Sequence, residues 1–399
     1  MTYTDALDYL QSVSTFGIKP GLERISRLLF LLNNPHENYQ TIHIAGTNGK
    51  GSVSAMLESI CRAAGLKTGL YTSPHLTSYL ERIRIDGKNV SEDKFADAVE
   101  MIKNISIDDP PTHFEILTAA AFKIFSDEKI DVGIIETGLG GTLDSTNVIT
   151  PKIAVITNIG EDHADRCIGL PGDSIIEGIA RHKAGIIKKN VPVVTAATDE
   201  ALKIIEEQAR KMDSKIFVYK RDFQTPKCYV NLRGAYQHEN SAVAFETAKI
   251  FGVDEKSIEA GLANVTWAGR YEFATYRNHR VIIDGAHNPA GVTALKTNLD
   301  EDFSTETRVF FMGILRDKNY SEMLKILLRP EDFFVATEPD SERALSAEKL
   351  ADVAKKFSNH VEIGTLNRAV ELANAQKNSV IIICGSLYLI GKIRDEVIR

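Results

Sequence analysis

Short apolar runs alternate with longer amphipathic ones along most of the chain, and that alternation limits the fold more than any other feature. "TIHIAG", "KTGLYTS", "DVGIIETG", "KIAVITN" and "VPVVTA" read as buried strands. "VSAMLESICRAAG", "FEILTAAAFKIFSDE" and "DSIIEGIARHKAGIIKK" read as the helices between them. Strands alternating with helices imply an α/β fold whose mostly parallel sheet is covered on both faces. Two successive helices follow, in "NSAVAFETAKIFG" and "KSIEAGLANV", and then "TWAGRYEF" with the only Trp. A second strand series comes after it: "RVIIDGAH", "RVFFMGIL", "DFFVATEP" and "SVIIICGS". A chain of 399 residues exceeds one ordinary core. We therefore expect two domains, 1–268 and 269–399, meeting between Val265 and Arg270.

"AGTNGKGS" sits between the first strand and the first of these helices. It departs from GxxxxGK[ST], because only Thr47 and Asn48 separate Gly46 from "GK" and Gly51 precedes Ser52. The physics is still that of a phosphate loop. Glycines let the backbone come close and turn its N–H groups to one point, and the helix N-terminus adds its positive end. Lys50 is placed to reach terminal phosphates, and Ser52 to touch phosphate or metal. The bland alternative is a glycine-rich turn, but strand, loop and helix in that order favour the phosphate. The expectation is a P-loop-type parallel-sheet N-terminal domain and a smaller Rossmann-like α/β C-terminal domain. No GxGxxG follows a strand in the second half, so no dinucleotide site is expected there.

A nucleotide phosphate normally brings Mg²⁺, which wants hard oxygen ligands. Glu136 ends the strand in "DVGIIETGLGG", on the side where a parallel sheet opens to ligands. His163 lies just past the next strand end, in "VITNIGEDHAD", and reads equally as ligand or structural His. Ser73 in "YTSPHL" reads on position alone as a helix cap. Lys183 in "IARHKAGIIKK" has apolar helix neighbours and on position alone snorkels.

Taken in order, "HIAGTNGKGS", "YTSPHL…ERIRIDG", "IETGLGGTLDSTN", "DHAD", "KAGIIK", "GRYE", "DGAHNPAG", "GILRDKNY" and "GSLYLIG" resemble folylpolyglutamate synthase. The bacterial form of that enzyme is often also dihydrofolate synthase, and both belong to the Mur ligase superfamily. The resemblance implies a nucleotide site at Asn48, Gly49, Lys50, Gly51 and Ser52. Asn240, Arg270 and Asp284 join it from the domain junction and second domain, with His287 nearby. It implies Mg²⁺ ligands Ser73, Glu136 and His163 for one or two ions, and a carbamylated Lys183. Lys50, Lys183 and His163 would carry the chemistry. A pterin site is implied at Gly21, Leu22 and Glu23, at Thr112, His113, Phe114 and Glu115, and at Leu143 and Asp144. Where relatives often have Arg in GGRLDATN, this chain has Thr142.

The activity so implied is ATP-dependent ligation of L-glutamate to tetrahydrofolate, and also to dihydropteroate, through an acyl phosphate. From the residues, Phe114 can wall a flat ring and Glu115 and Asp144 can accept from its edge. They can equally be the core start and N-terminal acid of a helix. A Mur-type ligase for another carboxylate and amine, and a nucleotide-binding regulator without ligase activity, stand as rivals. A net charge of −7 argues against a surface that coats nucleic acid. No apolar run approaches the ~20 residues that span a bilayer, and "MTYTDALDYLQ" lacks the basic start of a secretory signal. Four cysteines without a CxxC pair fit a reduced, cytoplasmic setting. A monomer is expected.

Overall fold

The computed structural model describes residues 1–14, 21–160 and 174–398. It divides into two compact units. The first holds Met1–Pro74, Ser78–Asn231 and His238–Thr266; the second holds His75–Thr77, Leu232–Gln237 and Trp267–Arg399.

The first unit is built on an eight-stranded sheet. Its strands are β1 (Gln40–Ala45), β2 (Thr68–Tyr71), β3 (Ile83–Ile85), β4 (Lys88–Asn89), β5 (Val132–Glu136), β6 (Ile153–Ile156), β7 (Val193–Thr195) and β8 (Ile216–Val218). Across the sheet they run β4-β3-β2-β5-β1-β6-β7-β8. All neighbours pair in parallel except the hairpin edge formed by β3 on β2 and β4 on β3. The runs read as apolar throughout are the buried parallel strands; every residue of β2, β5, β6 and β7 is buried. The chain enters at β1, builds one side with β2 and β5, and the other with β6 to β8. Crossovers therefore diverge on either side of β1 and leave a crevice at its carboxyl end. Ile44 lies opposite Glu136 and Ala45 opposite Ile156, so three strands end nearly level there.

Helices cover the sheet. The helix His113–Asp127 is apolar nearly all round, and Ala119, Ala120, Ala121, Phe122 and Phe125 are fully buried. It packs in one core with residues of the helices Tyr3–Ser14, Glu23–Leu31 and Glu92–Lys103. The helix Lys50–Ala63 lies against Glu255–Asn264 so closely that a Cβ on Gly261 would stand 2.3 Å from Ile60 Cα. Ser59 Oγ donates across this contact to Gly261 O at 2.8 Å.

The second unit has a six-stranded sheet in the order β13-β12-β11-β14-β10-β9. These are β9 (Glu272–Tyr276), β10 (His279–Ile283), β11 (Thr307–Met312), β12 (Phe333–Ala336), β13 (His360–Ile363) and β14 (Ser379–Cys384). Only β9 is antiparallel to its neighbour.

One helix differs from its sequence reading. The stretch "DSIIEGIARHKAGIIKK" is helical only over Ile175–Ala184. Gly185 caps it, and a Cβ there would fall 2.0 Å from Thr142 Oγ1. The loop after β5 ends the ladder there: His182 O, which a longer helix would offer to Ile186 N, accepts from Thr142 N and Oγ1, and Ile186 N bonds Lys183 O instead. Among the described residues no helix is long and apolar enough to cross a membrane. Cys61 and Cys384 are buried free thiols and Cys228 is a half-buried one, while Cys167 lies outside the described residues.

Candidate functional site

The glycine loop closes over the end of β1. Gly46 has φ +150°, and a Cβ there would lie 1.8 Å from Thr157 Oγ1 at the end of β6. Any side chain would push the loop off the sheet. Thr157 Oγ1 donates to Asn48 O at 2.7 Å, and Asn48 N donates to Asn158 Oδ1 at 3.0 Å. Thr47 Oγ1 donates to Gly160 O at 3.1 Å and accepts from Gly160 N at 3.0 Å. The loop is therefore fixed from β6 before any ligand is considered. Gly49, left-handed at φ +83°, then turns the chain into the helix Lys50–Ala63. A Cβ on Gly49 would meet Asn240 Oδ1 at 2.3 Å, so the buried Asn240 of "QHEN" stands against the same turn.

The helix ladder starts with Val53 N on Gly49 O at 2.8 Å. N–H groups of a first turn lie ahead of such a bond and give the helix end its affinity for anions. Gly51 and the buried Ser52 belong to this turn. Lys50 Nζ donates to Gly46 O at 3.0 Å and Thr47 O at 3.2 Å, which holds the ammonium over the loop.

Two further strand ends bring carboxylate and hydroxyl oxygens. Glu136, 4% exposed, ends β5, and its Oε2 accepts from Ser73 N at 3.2 Å. Ser73 follows β2, the neighbour of β5. A buried carboxylate at a strand end suits a hard divalent cation such as Mg²⁺. His163, the third expected ligand, lies outside the described residues. Among the described residues no three His, Cys, Asp or Glu side chains form a metal cluster.

Lys183 does not snorkel. It is 7% exposed, and its Nζ donates to Gly46 O at 2.7 Å. Lys50 and Lys183 thus converge on one carbonyl of the glycine loop. The segment around Lys183 is docked on the loop that follows β5. Thr142 N and Oγ1 both donate to His182 O, at 2.8 and 3.1 Å. Asn147 Nδ2 donates to Thr142 O at 3.0 Å and Gly185 O at 3.1 Å.

Residues expected to bind a pterin fall around that same loop and the start of the helix His113–Asp127. Thr112 and Glu115 form a reciprocal cap: Thr112 N donates to Glu115 Oε2 at 2.7 Å, and Glu115 N to Thr112 Oγ1 at 3.3 Å. Arg24 Nε reaches the same Oε2 at 3.1 Å, tying the segment of Gly21, Leu22 and Glu23 to this helix end. Phe114 stacks on Tyr71 with ring centroids 6.1 Å apart, and Gly138 leaves room for its edge. His113 Nε2 is 3.1 Å from Tyr79 Oη; burial and then the Arg82 charge lower its pKa to about 4. Leu143 is 46% exposed. Asp144 is buried, with Oδ2 accepting from Leu139 N at 2.7 Å and Oδ1 from Thr146 N at 3.0 Å. Burial raises its pKa, and these donors oppose the shift.

In the second unit, Arg270, Asp284 and His287 gather at the end of β10. Asp284 Oδ2 accepts from Tyr271 N and Oδ1 from Ala286 N, both at 2.8 Å. Burial raises its pKa and the Arg270 charge lowers it. A Cβ on Gly285 would meet Arg270 Nη1 at 2.5 Å, so glycine admits the guanidinium. His287 Nδ1 donates to Gly285 O at 2.7 Å, which fixes its tautomer. Thr157, Asn158 and Arg24 were not singled out from sequence. Their partners lie far along the chain, and nothing local marks them.

The chain matches known proteins along nearly its whole length. Residues 44–273 match the Mur ligase middle domain, and residues 269–396 match the dihydrofolate synthetase C-terminal domain. The chain is 34% identical to a dihydrofolate synthase/folylpolyglutamate synthase of Bacillus subtilis, over 99% of each chain. Mycobacterium tuberculosis folylpolyglutamate synthase complexed with ADP superposes with a TM-score of 0.91 at 31% identity, covering 99% of this chain and 98% of that one. A bifunctional folylpolyglutamate synthase/dihydrofolate synthase of Yersinia pestis, complexed with AMPPNP and Mn ion, gives 0.87 at 27% identity, with the same coverage. With two domain matches and full-length likeness added to the loop, the strand ends and the lysine pair, the chain belongs to the dihydrofolate synthase/folylpolyglutamate synthase family of Mur ligases.

Proposed function

We propose that this protein is an ATP-dependent ligase that adds L-glutamate to tetrahydrofolate, and to dihydropteroate as well. One observation supports this most: the phosphate loop, Glu136 and Lys183 meet at the end of β1. The folate acceptor follows from the family together with the Phe114 and Asp144 surroundings.

A carboxylate is a poor electrophile, so amide formation needs activation. An oxygen of the acceptor carboxylate attacks the γ-phosphorus of ATP, the bond to the bridging oxygen breaks, and ADP leaves. The amine nitrogen of glutamate then attacks the acyl carbon, the C–O bond to phosphate breaks, and the amine loses a proton. Lys50 and the amides of its helix end hold the phosphates while charge builds on the transferring group. Thr157 and Asn158 keep those amides aimed. Mg²⁺ would be held by Ser73 and Glu136, with His163, and when bound supplies fixed positive charge for the phosphates. A carbamate on Lys183 would convert a cation beside the loop into an anion. In the second unit, Arg270, Asp284 and His287 are assigned to the nucleotide. Phe114 is assigned to the flat face of the pterin and Asp144 to its edge.

The test is glutamate-dependent ADP release with ATP and either acceptor. Release with both dihydropteroate and tetrahydrofolate is expected. Release with tetrahydrofolate alone removes the second activity. Release with neither favours a Mur-type ligase for another carboxylate, or a regulator without ligase activity.

A further inference from the structure

His43 lies at the centre of the first sheet, and no part of the chemistry above uses it. It sits on β1, opposite Ile135 of β5 and Ala154 of β6, three residues before Gly46. It is fully buried. An imidazole in that place is costly unless its polar atoms find partners. Its Nε2 does, 2.8 Å from Thr146 Oγ1. Thr146 Oγ1 in turn lies 2.5 Å from Asp144 Oδ1.

The direction of this chain follows from counting protons. Asp144 accepts from Leu139 N and Thr146 N, as a carboxylate does. The single hydroxyl proton of Thr146 goes to Asp144, so Thr146 must accept from His43. His43 Nε2 therefore carries a proton, and its Nδ1 is a buried atom with no partner among the described residues. Burial, with a smaller contribution from Lys188, lowers its pKa to about 3, which agrees with a permanently neutral ring. A donor held at one end of a buried hydrogen-bond chain strengthens and orients the next link.

We infer that His43 is a positioning residue for the acceptor. Through the Thr146 hydroxyl it fixes the rotamer of Asp144, and so sets the edge of the folate site from the strand that also carries the phosphate loop. This rests on the reading that Asp144 contacts the acceptor. It assigns no contact with substrate to His43 itself.

The experiment uses the full chain, with KM measured for dihydropteroate and for ATP in the wild type and four variants. His43→Leu keeps volume but removes the donor. His43→Gln keeps a neutral N–H donor near the place of Nε2. Thr146→Val removes the link, and the fourth variant combines it with His43→Leu. His43→Leu and Thr146→Val should each raise the dihydropteroate KM roughly tenfold, the scale of one lost buried hydrogen bond to a charged group. The ATP KM should stay within about twofold, and His43→Gln should keep most of the wild-type acceptor KM. The double variant should be no worse than either single one, because a broken chain cannot be broken twice. Equal shifts in both KM values overturn the inference and make His43 a packing residue of β1. Additive effects overturn it too, as does a Gln variant as poor as Leu. If His43→Leu does not fold, Thr146→Val and His43→Gln still decide through the KM split. A wild type that turns over no folate acceptor fails earlier and differently: it removes the acceptor reading, and this inference with it.

Discussion

Lys50→Ala is expected to lower kcat by about 10²-fold or more, the scale of losing one preorganised charge at a transferring phosphoryl group. The ammonium is already held over the loop by Gly46 O and Thr47 O, at 3.0 and 3.2 Å. It does not have to be recruited from solvent. Its charge matters most when negative charge builds on the phosphoryl oxygens. The glycine loop and helix end remain in the variant, and Thr157 and Asn158 still fix them. Nucleotide affinity should therefore fall less than kcat. Steady-state kinetics with ATP varied will read the split. Turnover close to normal in Lys50→Ala would remove the loop from the phosphoryl step.

Lys183→Ala should lose most activity, again by about 10²-fold or more, while nucleotide binding by the loop persists. A purely structural lysine at a helix end would give a milder loss. Lys183 is 7% exposed, donates to Gly46 O at 2.7 Å, and stands beside the backbone that Thr142 and Asn147 hold. A carbamate formed from its amine and CO₂ keeps one N–H, so the contact with Gly46 O survives the modification. The anion it would add is what alanine could not replace. A short-chain carboxylate added to Lys183→Ala should restore part of the activity. Full activity in the untreated variant, or no trace of the adduct by gentle intact-mass measurement of the active wild type, would count against the carbamate.

The parallel strands beside the crevice were legible because burial on both faces leaves continuous apolar runs, as in "DVGIIETG" and "KIAVITN". The edges were not. β3 and β4 have three and two residues, too few for any period to show. β13 is a half-exposed four-residue strand, and β9 alternates exposure beside a turn that reads as irregular. The helix bearing Lys183 was read too long because "GIIKK" continues its apolar pattern; the stop is nonlocal, since His182 O takes Thr142 N and Oγ1 where a longer helix would take Ile186 N. The same limit applies to the site. Glycine spacing announces a phosphate loop, since the backbone geometry is local. That Lys183 would reach Gly46, 137 residues away, has no local signature. Nor does the sequence tell that Asp144 and Glu115 spend oxygens on their own backbone before any ligand arrives.

The claim that ties the site together is that ATP activates the acceptor carboxylate as an acyl phosphate. Tetrahydrofolate labelled with ¹⁸O in its γ-carboxylate tests it directly, by mass spectrometry of the phosphate released during ligation. One labelled oxygen should pass to phosphate as the first glutamate is added to each labelled molecule, and none in later additions. Unlabelled phosphate, recovered while the glutamylated product accumulates, would contradict carboxylate activation at this site.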